Sequence, residues 1–121
     1  MTNSTPTAAV PAGSGQAGCI RIGSGSGFWG DAIDPALELV ESGGIDVLAM
    51  DYLAELTMAL LQRLKRRDAA AGWIPDLVPH MGALLPAARA RGVRIVCNGG
   101  GANPRGGAAA VAGVARAAGL S

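Results

Sequence analysis

Aromatic side chains are almost missing from this chain: one Phe, two Trp and one Tyr in 121 residues. A core of ordinary size must then be built from Ala, Val, Leu and Ile. One fully buried large apolar side chain contributes only about 1.5 to 3 kcal/mol, so a fold so light in large side chains is expected to be marginal when it stands alone. Charge of one sign is also missing. Ten basic residues face nine acidic ones, for a formal net charge of +1, which excludes the broad positive footprint of a nucleic-acid binder. The one dense basic cluster, Arg63 to Arg67, closes a predicted helix, where the helix dipole favours cations whatever the protein does.

Histidine occurs once and cysteine twice. Cys19 and Cys97 fall at opposite ends of predicted strands without metal-ligand spacing, so neither a disulfide framework nor a cysteine metal site is expected. No apolar run reaches the roughly 18 to 20 residues of a membrane span, and the N-terminus has no basic residues followed by an apolar segment. The expectation is a cytoplasmic protein that uses neither a membrane nor nucleic acid.

What is abundant is glycine, with 19 residues. Residues 1 to 18 are rich in Thr, Ser, Ala, Pro and Gly, lack periodicity, and read as a disordered tail. From Cys19 onward short β-rich runs alternate with helical periodicity. This pattern predicts an α/β domain over residues 19 to 121, a three-layer parallel sheet of about three strands in the order βαβααβα, resembling an incomplete Rossmann-like unit.

The first strand is expected at about Cys19 to Gly23, then a glycine-rich loop, then a helix with Asp34 as N-cap and Pro35 at its first position. Ile45 to Met50 reads as the second strand. Leu53, Leu56, Leu60, Leu61 and Leu64 recur at helical spacing over Ala54 to Arg67. Asp76 to Arg91 is also helical, with Pro86 expected to kink or split it. Val93 to Cys97 is the third strand, and Asn103-Pro104 opens an Ala-rich last helix that repeats the Asp34-Pro35 arrangement.

In a parallel sheet ligands bind beyond the strand carboxyl ends, near a reversal of strand order. Three such ends would bring together Gly23, Ser24, Gly25, Ser26, Gly27, Trp29 and Asp31 from the first loop and Asn98, Gly99 and Asn103 from the third. Between them stand Asp51 and Glu55, carboxylates at strand ends that suit either a general base or ligands for a hard cation. The first loop has neither Walker A spacing nor a clean dinucleotide fingerprint, so no cofactor is assigned; it is either an anion site or a tight strand-to-helix turn. Trp29 is placed to stack on a ligand. Cys97, in a strand, reads as a buried and inert thiol, and His80 as a packing residue away from the strand ends.

The segments Arg21-Ile-Gly-Ser-Gly-Ser-Gly-Phe-Trp-Gly-Asp31, Ala32-Ile-Asp-Pro-Ala36, Leu53-Ala-Glu-Leu-Thr57 and Val96-Cys-Asn-Gly-Gly-Gly-Ala-Asn-Pro104 together resemble the N-terminal portion of the acyclic terpene utilisation protein family, AtuA. The chain departs from the family pattern at Leu56, where members tend to carry Arg, and in the unbroken glycines after Asn98. The resemblance implies a truncated or N-terminal portion of a longer protein and a role in breaking down acyclic terpenoids such as citronellol and geraniol. Together with the convergent strand ends, the expected molecular work is binding a polar or acyl-type small-molecule ligand there. Two other readings stand beside it: an interaction module that pairs an exposed sheet edge with a partner or a second copy, and a small enzyme acting on an activated acyl or phosphorylated substrate.

Overall fold

The computed structural model describes residues 18 to 121; the expected tail lies outside them but for Gly18. It shows an α/β fold whose seven elements follow the predicted order: β1 (Ile22–Ser26), α1 (Asp34–Glu41), β2 (Val47–Met50), α2 (Glu55–Arg67), α3 (Leu77–Arg91), β3 (Arg94–Cys97) and α4 (Pro104–Ala117). The strands form one parallel sheet in the order β1-β2-β3, with Ile22 beside Val47 and Val47 beside Arg94.

Both crossovers step in the same direction across the sheet. Right-handed connections then put their helices on one face, and α1 and α3 do pack together there, with α4 against α3. The core lies between that helical layer and the sheet. Val40 from α1, Leu48 and Tyr52 from β2 and its exit, and Leu77 and Leu84 from α3 are fully buried in it. On the opposite face the strands alternate outward in two rows, Ile22–Val47–Arg94 and Ser24–Ala49–Val96. Ile22 is 66% exposed and Val96 61%, so among the described residues no helix covers this face.

Local chemistry corrects several expected details. β1 begins three residues later than its apolar run suggested, at Ile22, and takes in Gly23 and Gly25. Those glycines are strand residues because α1 lies directly on them: a Cβ on Gly25 would meet Met50 Sδ at 2.5 Å and Ala36 Cβ at 2.9 Å. Asp34 is the first residue of α1 and not its cap; Ile33 holds the cap position, without a side-chain hydrogen bond. Asn103 does cap α4, its side chain accepting from the Gly106 N–H.

In α2 the buried positions are Thr57 and Leu61, while Leu56 is 71% exposed. Positions 56 and 60 are one residue, about 100°, off the row of 57, 61 and 64. α2 touches no other helix or strand closely; it leans on loops through Leu61 beside Gly101 and through Lys65, whose Nζ donates to the Ala102 carbonyl at 2.9 Å. Pro86 does not split α3, which runs as one helix. Pro86 stands at an exposed position of that helix.

Candidate functional site

The three strand ends are tied to one another by side chains that leave the sheet together. Ser26 Oγ, at the end of β1, donates to the Asp51 carbonyl at 3.1 Å, and the Asp51 N–H donates to the Ser26 carbonyl at 3.3 Å. Asn98, just past β3, reaches back across β2: its Nδ2 donates to Asp51 Oδ1 at 2.7 Å and its Oδ1 accepts from the Tyr52 N–H at 2.8 Å. Asp51 Oδ1 also accepts from the Leu53 N–H at 3.2 Å. The carboxylate is thus fixed in direction through one oxygen, and the residue is exposed. A carboxylate held this way, with its second oxygen turned to solvent, can accept a hydrogen bond or a proton from a bound molecule.

Directly behind Asp51, the chain's one tyrosine and one histidine meet. Tyr52 is completely buried; its hydroxyl lies 2.8 Å from His80 Nδ1, and the two rings stack with centroids 5.8 Å apart. Burial pushes the Tyr52 hydroxyl well above the usual tyrosine range, and the nearby Cys97 and Asp76 push the same way. The phenol therefore stays protonated. This is the feature that sequence reasoning missed, having put His80 away from the strand ends; the first turns of α3 carry it back onto the exit of β2. With the partners 28 positions apart in the sequence, no local spacing announces the pair.

The glycine-rich loop divides in two. Gly23, Ser24 and Gly25 lie within β1, and the glycines there serve the approach of α1. Gly27 is open space, with only Asp31 Oδ2 within reach of an added Cβ. Asp31 closes this turn: Oδ2 accepts from the Gly27 N–H at 2.9 Å and Oδ1 from the Ala32 N–H at 3.0 Å. Trp29 is half-buried and packs against the core, whereas its neighbour Phe28 is the exposed aromatic.

In the third loop Gly99 is buried, its carbonyl accepting from the Ile74 N–H, and a Cβ there would strike Leu77 at 2.6 Å. Asn103 spends its whole amide on structure: Oδ1 caps α4, and Nδ2 donates to the carbonyls of Ala69, Ala70 and Ala71. Glu55 is exposed in the first turn of α2. Cys97 is exposed and not buried as expected, because β3 is an edge strand. The structure thus gathers Ser26, Asp51, Tyr52, His80 and Asn98 into one bonded cluster, and leaves Gly23, Gly25, Gly99 and Asn103 with packing and capping duties. The sheet order runs one way without reversal among the described residues, so the cluster sits on strand exits and not at a switch point.

The far end of the sheet holds a different latch. Asp46 Oδ2 accepts from the Arg21 N–H at 2.7 Å while its Oδ1 meets Arg21 Nη2 at 3.2 Å. This hydrogen-bonded guanidinium holds the Asp46 carboxyl below the usual range. It fastens β1 to β2 at their entry and is remote from the carboxyl-end cluster.

None of the described helices is long and apolar enough to cross a membrane. No curated protein and no solved structure matches the chain. A family model does: the one described as acyclic terpene utilisation family protein AtuA, matched over residues 20–121. That match spans all seven elements, the bonded strand ends and the Arg21–Asp46 latch, and by it the chain belongs to the AtuA family.

Proposed function

We propose that this chain serves acyclic terpenoid catabolism by binding a polar or acyl-type ligand beyond the carboxyl ends of its three strands. The family supports the pathway. The observation that carries the site is the Asp51–Asn98 bond, which holds an exposed carboxylate in one direction at the meeting point of β1, β2 and β3. Asp51 presents its remaining oxygen to the ligand. The exposed Gly27 turn closed by Asp31 flanks it on one side, and Glu55, exposed at the start of α2, supplies a second carboxylate on the other. In a catalytic version of this reading Asp51 is the general base and Glu55 its partner acid.

The test is thermal unfolding followed by circular dichroism, with a panel of acyl-coenzyme A thioesters, nucleotides and terpenoid carboxylates. A ligand of the site raises the midpoint by several degrees, since binding to the folded state alone stabilises by RT ln(1 + [L]/Kd). Asp51→Asn removes that rise and keeps the unliganded transition. A panel without any rise, or a rise that survives both Asp51→Asn and Asn98→Ala, overturns the reading.

A further inference from the structure

Asn98, which ties the strand ends together, is followed by Gly99, and an asparagine before glycine carries a reaction of its own. Asparagine is thermolabile because the next backbone nitrogen can attack its side-chain amide, and glycine, with no Cβ, crowds that nitrogen least. The Gly99 nitrogen bonds to Asn98 Cγ, the Cγ–Nδ2 bond breaks, and the proton displaced from the nitrogen leaves with the Nδ2 group as ammonia. Water then opens the cyclic imide to aspartate or isoaspartate. One water is consumed and one ammonia released, with no change of oxidation state. Asn103, in the same loop, cannot follow this route, since the Pro104 nitrogen has no hydrogen to lose.

The fold supplies the reactants and withholds the geometry. Asn98 is exposed to the water that the second step consumes, and the Gly99 N–H finds no acceptor among the described residues. The Tyr52 N–H, donating to Asn98 Oδ1 at 2.8 Å, draws electrons from Cγ and makes it a better target. Against this, ring closure needs Cγ to rotate onto the Gly99 nitrogen. The side chain is not free to do so while Oδ1 accepts from Tyr52 and Nδ2 donates to Asp51 Oδ1 at 2.7 Å. The backbone is fixed as well: the Asn98 carbonyl accepts from the Gly101 N–H at 3.1 Å, and the Gly99 carbonyl from the Ile74 N–H at 2.8 Å. The reaction therefore waits on local opening of these bonds.

We infer that Asn98 is a modification site, deamidated through the Gly99 nitrogen when its bonds to Asp51 and Tyr52 open, and that the change disables the strand-end lock. The product keeps an oxygen for the Tyr52 N–H but has no N–H for Asp51. Where a donor stood 2.7 Å from Asp51 Oδ1, a second carboxylate now stands, and like charges at contact repel. Isoaspartate lengthens the backbone by a methylene just before Gly99, a buried residue so close to Leu77 that an added Cβ would meet it at 2.6 Å. Neither product restores the original fit. Asp51 then keeps only the Leu53 N–H to direct Oδ1. This inference rests on the surroundings of Asn98 and stands whether or not a ligand occupies the strand ends.

The full chain is incubated at neutral pH and physiological temperature beside a free peptide spanning Ile95 to Gly101, and both are followed by peptide mapping with mass spectrometry. Conversion is expected at Asn98 and not at Asn103, slower by about tenfold or more in the folded chain than in the peptide. Asp51→Ala, at an exposed position, speeds it by about tenfold, the factor that one hydrogen bond to a charged group is worth in an opening equilibrium. Asp51→Asn keeps an acceptor oxygen and keeps the slow rate. In the natural chain the same acceleration follows low urea, in step with exchange of the Tyr52 amide, which keeps the test decisive should the alanine variant not fold. Asn98→Asp, the product made genetically, lowers the thermal midpoint below that of Asn98→Ala. A folded chain that converts as fast as the peptide, a rate indifferent to Asp51→Ala and to urea, or no conversion at Asn98 in the opened chain each overturn the proposal. So does a midpoint of Asn98→Asp at or above that of Asn98→Ala, which would show that the lock survives the change.

Discussion

At the scale of single residues, Tyr52 is the least replaceable side chain. It is the largest fully buried one, in a chain with four aromatics, and its hydroxyl is satisfied only by His80. Its raised pKa makes a signed prediction. The unfolded chain releases the tyrosine proton near about pH 10 while the folded chain retains it, so the Tyr52 contribution to stability is complete below that pH and is lost as pH rises toward the folded value. The thermal midpoint of the natural chain should therefore fall between about pH 9.5 and 11. Tyr52→Phe starts lower, having lost a buried hydrogen bond worth about 1 kcal/mol, and falls less steeply over the same range. Parallel slopes in the two proteins would show that the tyrosine is not the group that titrates. None of this was legible in the sequence: a lone Tyr after a strand and a lone His in a helix become a pair only when α3 folds back.

At the scale of elements, the contact of α1 with β1 decides what the first glycines are for. Both a tight phosphate-binding turn and a strand under a close helix call for glycine, and sequence alone does not separate them. The helical and strand segments themselves were legible, since alternation and 3.6-residue spacing report burial directly. Their ends are less so: glycine reads as loop, which displaces the start of β1, and leucine reads as core, which draws the α2 stripe through the exposed Leu56 and Leu60. Substitution separates the two duties. Gly25→Ala forces a methyl against Met50, Ala36 and Leu48, an overpacking cost of about 1 to 3 kcal/mol. That is a fall of roughly 4 to 8 °C in midpoint per kcal/mol in a domain near this size. Gly27→Ala adds its methyl to open space and leaves the midpoint within about 0.5 kcal/mol of the natural chain, while lowering the affinity for any ligand that lies on that backbone. Equal losses from both would mean that α1 sits less closely on β1 than this.

For the molecule as a whole, the asymmetry of the sheet outweighs any single contact. Parallel sheets are ordinarily buried on both faces, and here the helices that the crossover rule places together cover only one. The outward rows contain Ile22, Val47, Ala49 and Val96, an apolar surface interrupted by Ser24 and Arg94. Alternation in the sequence marks which residues share a face but not whether that face is covered, since Val and Ile are equally at home under a helix and on a bare sheet. Solution behaviour distinguishes the two. If the face is bare, the double substitution Ile22→Thr with Val96→Thr removes exposed apolar area at β-compatible positions. It should change stability by no more than about 0.5 kcal/mol per site and raise the concentration at which the protein stays monomeric in light scattering. If instead the face is covered in solution by another part of the chain or a second copy, the same pair of changes buries two hydroxyls, and the midpoint should drop by several degrees as the covering contact is lost.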